Sequence, residues 1–213
     1  MIQVYAADIT NLPDPMRESS VMADLSDQRK EKIMRHKMEK DRKQCLGAGL
    51  LLREVLFRHG VADREITYGE NGKPQMEDFF FNLSHSNGVV LCAAGDCAVG
   101  CDVEKIKREP CGLARHFFCE SEIAYLDQLS GADREREFFR LWTMKESYMK
   151  MTGEGMRLSL KQFEFVLEDG ISVYRDGKRV SCFFQEYEIP GYRVCVCGKE
   201  QKFADKMEWI CLI

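Results

Sequence analysis

Apolar positions change their spacing several times along the chain, and each change marks an element. Residues 24–44 are dense in charge, with Ile33 and Met38 as sparse apolar points, which predicts a solvated helix. From Cys45 onward, Ala48, Leu52, Val55 and Leu56 recur at three- and four-residue steps and predict a buried helix ending at His59 and Gly60. Gly47 and Gly49 inside it predict close approach of a neighbour. Shorter apolar runs at 79–83, 89–94 and 97–104 predict strands, the last two joined in a tight hairpin at Gly95-Asp96. A second long helix is predicted over 134–151, capped by Gly153, then strands near 163–167, 171–174, 180–187 and 192–197. Helix-then-strands thus occurs twice, with a charged crossing containing Pro110 and Gly112 at 105–112. The expected fold is α+β, two similar α/β lobes in one chain, residues 1–105 and 106–213, with a ligand cleft between them.

Composition narrows the function. In 213 residues, 45% apolar and 31% charged, the balance is that of a folded protein of one large or two small domains. Lys and Arg number 31 against 35 Asp and Glu, a net charge of −4, so no global positive field recruits nucleic acid or an anionic membrane. An anionic ligand must be held by a local cluster. Residues 1–8 lack the basic start and apolar run of a secretory signal, and no apolar stretch approaches the ~20 residues that span a bilayer. A cytoplasmic location is expected. Cys45, Cys92, Cys97, Cys195 and Cys197 sit inside apolar runs and read as reduced, small hydrophobes; the four scattered histidines and the lack of CxxC argue against structural zinc.

Three stretches carry candidate chemistry. In the strand around 99–104, alternation sets Val99, Cys101 and Val103 on one face and Gly100, Asp102 and Glu104 on the other, so two carboxylates project side by side. By itself this is most often a solvated sheet face; a cation between the two acids is the alternative. On the second long helix, Leu141, Met144, Tyr148 and Met151 form a core stripe, while Trp142, Glu146 and Lys150 step by four on the other side. That ridge is either a surface Glu–Lys pair with a stray aromatic, or a carboxylate, a cation and an aromatic wall facing a cleft. Asn82-Leu83-Ser84-His85-Ser86-Asn87-Gly88 ends a strand with groups able to bond phosphate oxygens or simply to cap a turn. Lys73, past the turn Glu70-Asn71-Gly72 and before Pro74, lacks the glycine spacing of a P-loop.

Taken in order, Gly72-Lys73-Pro74, Phe81-Asn82-Leu83-Ser84-His85-Ser86, Val99-Gly100-Cys101-Asp102-Val103-Glu104, Phe117-Phe118 with Glu122, and Trp142-Thr143-Met144-Lys145-Glu146-Ser147-Tyr148-Met149-Lys150 resemble the 4′-phosphopantetheinyl transferases, specifically the double-length Sfp-type group. The last stretch is similar to the family's W-x-x-K-E-x-x-x-K motif, and Cys101 stands where the family usually has Ile or Val. The resemblance implies a pseudo-dimeric fold with coenzyme A in the groove. It implies transfer of the phosphopantetheine arm to a serine of an apo acyl or peptidyl carrier protein, with release of 3′,5′-ADP and help from Mg²⁺. It assigns Asp102, Glu104 and Glu146 to the metal and Lys150 to the diphosphate. Lys73, Ser84, His85 and Arg42 or Lys43 fall to the 3′-phosphoadenosine end, and Trp142 walls the site. Glu146, a metal-held water or Glu122 would accept the serine proton. The segment 111–133, with Leu113, Phe117 and Phe118 as anchors, would dock the acidic carrier. A chain already holding two lobes is expected to act as a monomer. The rival readings are a Mg²⁺-dependent phosphodiesterase and a non-catalytic coenzyme A binding module, which the same acids and lysine would also fit.

Overall fold

Burial sorts the side chains into three apolar clusters, two under long helices and one between two sheets. The computed structural model describes residues 1–62, 65–168 and 170–212, without the Met156 side chain. In chain order the elements are β1 (Gln3–Asp8), α1 (Asp27–Met34), α2 (Glu39–Arg58), β2 (Thr67–Tyr68), β3 (Pro74–Gln75), β4 (Phe80–Ser86), β5 (Val89–Gly95) and β6 (Val99–Lys105). There follow α3 (Leu113–Phe117), α4 (Glu120–Leu126), α5 (Gly131–Thr152), β7 (Phe163–Val166), β8 (Ser172–Arg175), β9 (Lys178–Arg179), β10 (Phe183–Ile189), β11 (Tyr192–Gly198) and β12 (Glu208–Trp209).

The expected α+β class is observed. One sheet runs β12-β1-β5-β4 and packs on α2; another runs β10-β11-β6 and packs on α5. Val4, Ala6, Leu91 and Ala93 of the first meet Val99, Val103, Val194 and Val196 of the second in the middle cluster. Strand pairing crosses residue 105 in both directions: β6 pairs with β11, and β12 pairs with β1. β1 was not expected from alternation, because Val4 and Ala6 face the middle cluster while Tyr5 and Ala7 face α2, leaving no polar side.

Two other expectations are corrected. The charged stretch forms two helices: α1 stops at Met34, and α2 starts at Glu39 and continues unbroken through the apolar stretch. Arg42 Nη1 donates to the carbonyls of His36 and Lys37 in the link between them, groups that no helix ladder pairs. The hairpin lies at Asn87-Gly88, between β4 and β5, where both residues have positive φ (40° and 100°), as a type I′ turn demands. At Gly95 a Cβ would meet the Met1 carbonyl at 2.8 Å, so this glycine serves packing against the N-terminal strand rather than a turn.

The core stripe of α5 is buried as expected, with Leu141, Met144, Tyr148 and Met151 all at 4% exposure or below. Gly153, at φ 76°, ends the helix in the left-handed conformation. At Gly47, a Cβ would collide with Ile9, which fixes how closely α2 approaches the loop after β1.

Candidate active site

The site begins with a missing side chain. On β6, Cys101 and Val103 point into the middle cluster, so Gly100, Asp102 and Glu104 face α5. A Cβ on Gly100 would collide with the Ser147 carbonyl and the Met151 amide, so the helix backbone occupies the space a side chain would need. The turn before β3 pins the same helix end: Lys73 Nζ donates to the carbonyls of Lys150 and Val99, and Asn71 Nδ2 to those of Gly153 and Glu154.

This crossing brings the acidic strand to the helix ridge. Lys150 Nζ donates to Asp102 Oδ1 at 2.6 Å, to Ser84 Oγ at 3.2 Å and to the Cys101 carbonyl at 3.2 Å. Ser84 Oγ also donates to Asp102 Oδ1 at 2.7 Å, and Ser86 Oγ to Glu104 Oε2 at 2.8 Å. Asp102 Oδ2 is buried and has no hydrogen-bond partner among the described residues.

The charges do not balance locally. Burial first and then the Asp102 charge push the Glu146 carboxyl up to about 7, with Lys150 opposing and Glu104 adding. Burial and Asp102 likewise raise Glu104, against the Ser86 hydrogen bond. For Lys150, burial disfavours the ammonium, but Asp102 and Glu146 among its neighbours outweigh it, so its pKa is raised. One ammonium therefore answers three carboxylates, and one buried carboxylate oxygen lacks any partner. A divalent cation fits that deficit. Among the described residues, no three His, Cys, Asp or Glu side chains stand in ready ligating geometry, with Lys150 and Ser84 on Asp102 and Ser86 on Glu104.

Other expected residues lie elsewhere or serve other ends. Trp142 is packed against Phe117, Phe118 and Phe138, with ring centroids 5.5, 6.3 and 6.0 Å away, which supplies the burial that its place outside the core stripe required. Phe118, expected as a docking anchor, is fully buried in that cluster. Glu122 is not brought to the acids: Oε1 accepts from the Phe165 amide and Oε2 from the Cys119 amide, and Lys145 Nζ pairs with it at 2.9 Å. Arg42 has its donors committed, with Nε and Nη2 on Asp14 and Nη1 on backbone carbonyls. Lys43 donates to the Thr10 carbonyl and borders a pocket of about 510 Å³ with Lys40, Lys105, Asn87 and Gly88. His85 is exposed, on the face of β4 opposite its two serines. A second pocket, of about 300 Å³, is bordered by Lys73, Phe81, Val99 and Met151.

Four contributors escaped the sequence reading. Gly100 and Asn71 position α5; Ser86 holds Glu104; Lys145 is the buried cation under the aromatic cluster. The signal for the serines was present in the polar alternation Asn82, Ser84, Ser86 against Phe81 and Leu83.

The model of the 4′-phosphopantetheinyl transferase superfamily matches residues 98–197. The chain is 34% identical over 201 residues to the 4′-phosphopantetheinyl transferase ffp of Bacillus subtilis, covering 89% of each. It is 30% identical over 198 residues to the 4′-phosphopantetheinyl transferase Sfp of Bacillus subtilis strain 168, covering 89% of this chain and 88% of that one. To the 4′-phosphopantetheinyl transferase psf-1 of Bacillus pumilus it is 37% identical over 172 residues, covering 74% of each. A holo-(acyl-carrier-protein) synthase from Bacillus anthracis, solved in complex with CoA (3′,5′-ADP), aligns with a TM-score of 0.42 at 16% identity, covering 48% of this chain and 94% of that one. This chain belongs to the 4′-phosphopantetheinyl transferase family, in its Sfp-type group. Among the described residues no helix is long and apolar enough to cross a membrane.

Proposed function

We propose that this chain moves the 4′-phosphopantetheine arm of coenzyme A onto a serine hydroxyl of an apo acyl or peptidyl carrier protein, releasing 3′,5′-ADP. The observation that carries the reading is the buried, unpartnered oxygen of Asp102 set among three carboxylates and one ammonium. Family membership supplies the transferred group.

Asp102, Glu104 and Glu146 are the residues that would hold Mg²⁺. When bound, a hard divalent ion of this kind takes up negative charge developing on diphosphate oxygens. Lys150, now bonded to Asp102, is within the same cluster and adds positive charge where the diphosphate would lie. The carrier serine oxygen bonds to the β-phosphorus, and the bond from that phosphorus to the bridging oxygen breaks, leaving the pair of electrons on 3′,5′-ADP. Glu146, or a water held by the cation, would take the serine proton as the phosphorus–oxygen bond forms. Lys43, which borders the β4–β5 turn, and His85 on β4 remain the contacts proposed for the 3′-phosphate, with Ser84, bonded to Asp102, and Lys73 proposed nearer the diphosphate. Arg42 would act through order, tying the α1–α2 link to Asp14. Glu122 and Trp142 would act through α5, which both of them brace. The chain is proposed to work as a monomer in the cytoplasm.

Intact-mass analysis of several apo carrier proteins after incubation with coenzyme A and Mg²⁺ tests the activity. A carrier heavier by one phosphopantetheine supports it. Free phosphopantetheine with unmodified carriers would establish a phosphodiesterase instead, and coenzyme A binding without either product would leave a binding module.

A further inference from the structure

The edges of β4 and β6 lie along one another, yet they belong to different sheets and share no backbone ladder. Three side chains take the place of carbonyls. Cys101 N donates to Asn82 Oδ1 at 2.9 Å, Val103 N to Ser84 Oγ at 3.3 Å and Lys105 N to Ser86 Oγ at 3.2 Å. The rungs recur every second residue on both strands, as strand alternation requires. Two of them do more than join the strands. A serine hydroxyl has one proton and two lone pairs, so accepting an amide leaves the proton free for a second partner. In each case that partner is the carboxylate of the residue before the amide donor: Asp102 for Ser84 and Glu104 for Ser86. The Asn82 rung touches no carboxylate; its remaining seam contact is the Cys101 thiol on its own carbonyl.

We propose that Ser86 is a positioning residue that fixes the Glu104 carboxylate for the divalent cation, so that the strand seam and the acid pair are set by the same hydroxyls. The inference rests on the assignment of Asp102, Glu104 and Glu146 to that cation. Ser86 is 5% exposed, so water has little room to replace it. Without it, Glu104 regains side-chain freedom and the Lys105 amide loses its partner.

The test is titration of the unliganded protein with Mn²⁺ alone, reading free Mn²⁺ by electron paramagnetic resonance, alongside melting curves. Ser86→Ala is expected to weaken Mn²⁺ about tenfold, and Ser86→Thr, which keeps the hydroxyl, to restore most of that affinity. Asn82→Ala is expected to lower Tm while Mn²⁺ affinity stays native. Native affinity in Ser86→Ala, or failure of Ser86→Thr to rescue, overturns the role of Ser86. Equal weakening in Asn82→Ala also overturns it, by showing that any loosening of the seam suffices. Asp102→Asn separates the underlying assignment: if it binds Mn²⁺ as the native protein does, the cation assignment falls first, and the serine inference with it.

Discussion

Helix α5 carries two lysine–carboxylate pairs five residues apart, one fully buried and one partly buried, and they are built to opposite ends. Lys145 and Glu122 are 0% and 1% exposed, and every charge is met: Glu122 accepts two backbone amides, while Lys145 donates to the Leu160 and Phe163 carbonyls and sits 4.6 Å over the Phe163 ring. Lys150 is 27% exposed, its partner Asp102 has an oxygen with no partner, and two further acids crowd the same place. A satisfied buried pair holds a framework. A pair left short of positive charge is available for chemistry. The two lysines are indistinguishable by residue type, and each finds three oxygen acceptors. What separates the pairs is the carboxylate, since backbone amides complete Glu122 while Asp102 keeps an oxygen without a partner among the described residues.

The contrast can be broken at either pair. Lys145→Met strands the buried Glu122 charge and should destabilise the fold by about 3–5 kcal/mol in denaturant titration. Adding Glu122→Gln should recover part of that loss. Gly100→Ala forces α5 and β6 apart, for about 1–3 kcal/mol by the same measurement. It should reduce phosphopantetheine transfer by about a hundredfold, since small displacements of catalytic groups are that costly. Glu146→Gln should slow transfer by about 10²–10⁴-fold, yet leave Tm unchanged or higher, because it removes a carboxylate held against burial and like charge.

The smallest effect is on pH dependence. Glu146 binds its proton more tightly in the folded chain, with a pKa of about 7 against an ordinary value of 4.5. Its contribution is therefore fully present below the ordinary value and is lost as pH rises through about 7. In protein stripped of divalent cations, Tm should fall across that window, and Glu146→Gln should flatten the slope. A cation added at pH 8 should raise Tm in the native protein more than in the variant.

One side of this contrast, the cluster around Lys150, is legible in the amino-acid sequence. The alternation that pairs Asp102 with Glu104, and the four-residue steps that align Glu146 with Lys150, are periodicities of a strand and a helix, and both put their residues in one cluster. What is not legible depends on partners far away in the chain. Nothing local shows that Glu122 finds Lys145, or that Arg42 closes on Asp14 rather than on a ligand. Alternation misses β1 because both faces of that strand are apolar. Gly95-Asp96 imitates a turn because a glycine needed for close packing looks the same in sequence as one needed for positive φ. Ser84 and Ser86 are visible as hydrogen-bonding groups, but their nearest partners are protein carboxylates.

Asp102→Asn decides the account most directly, because it keeps the shape of the side chain while removing the charge at the centre of the deficient cluster. With coenzyme A, Mg²⁺ and an apo carrier, the folded variant should yield no heavier carrier over a period in which the native protein converts all of it. Conversion at the native rate would place the chemistry somewhere other than the crossing of β6 and α5.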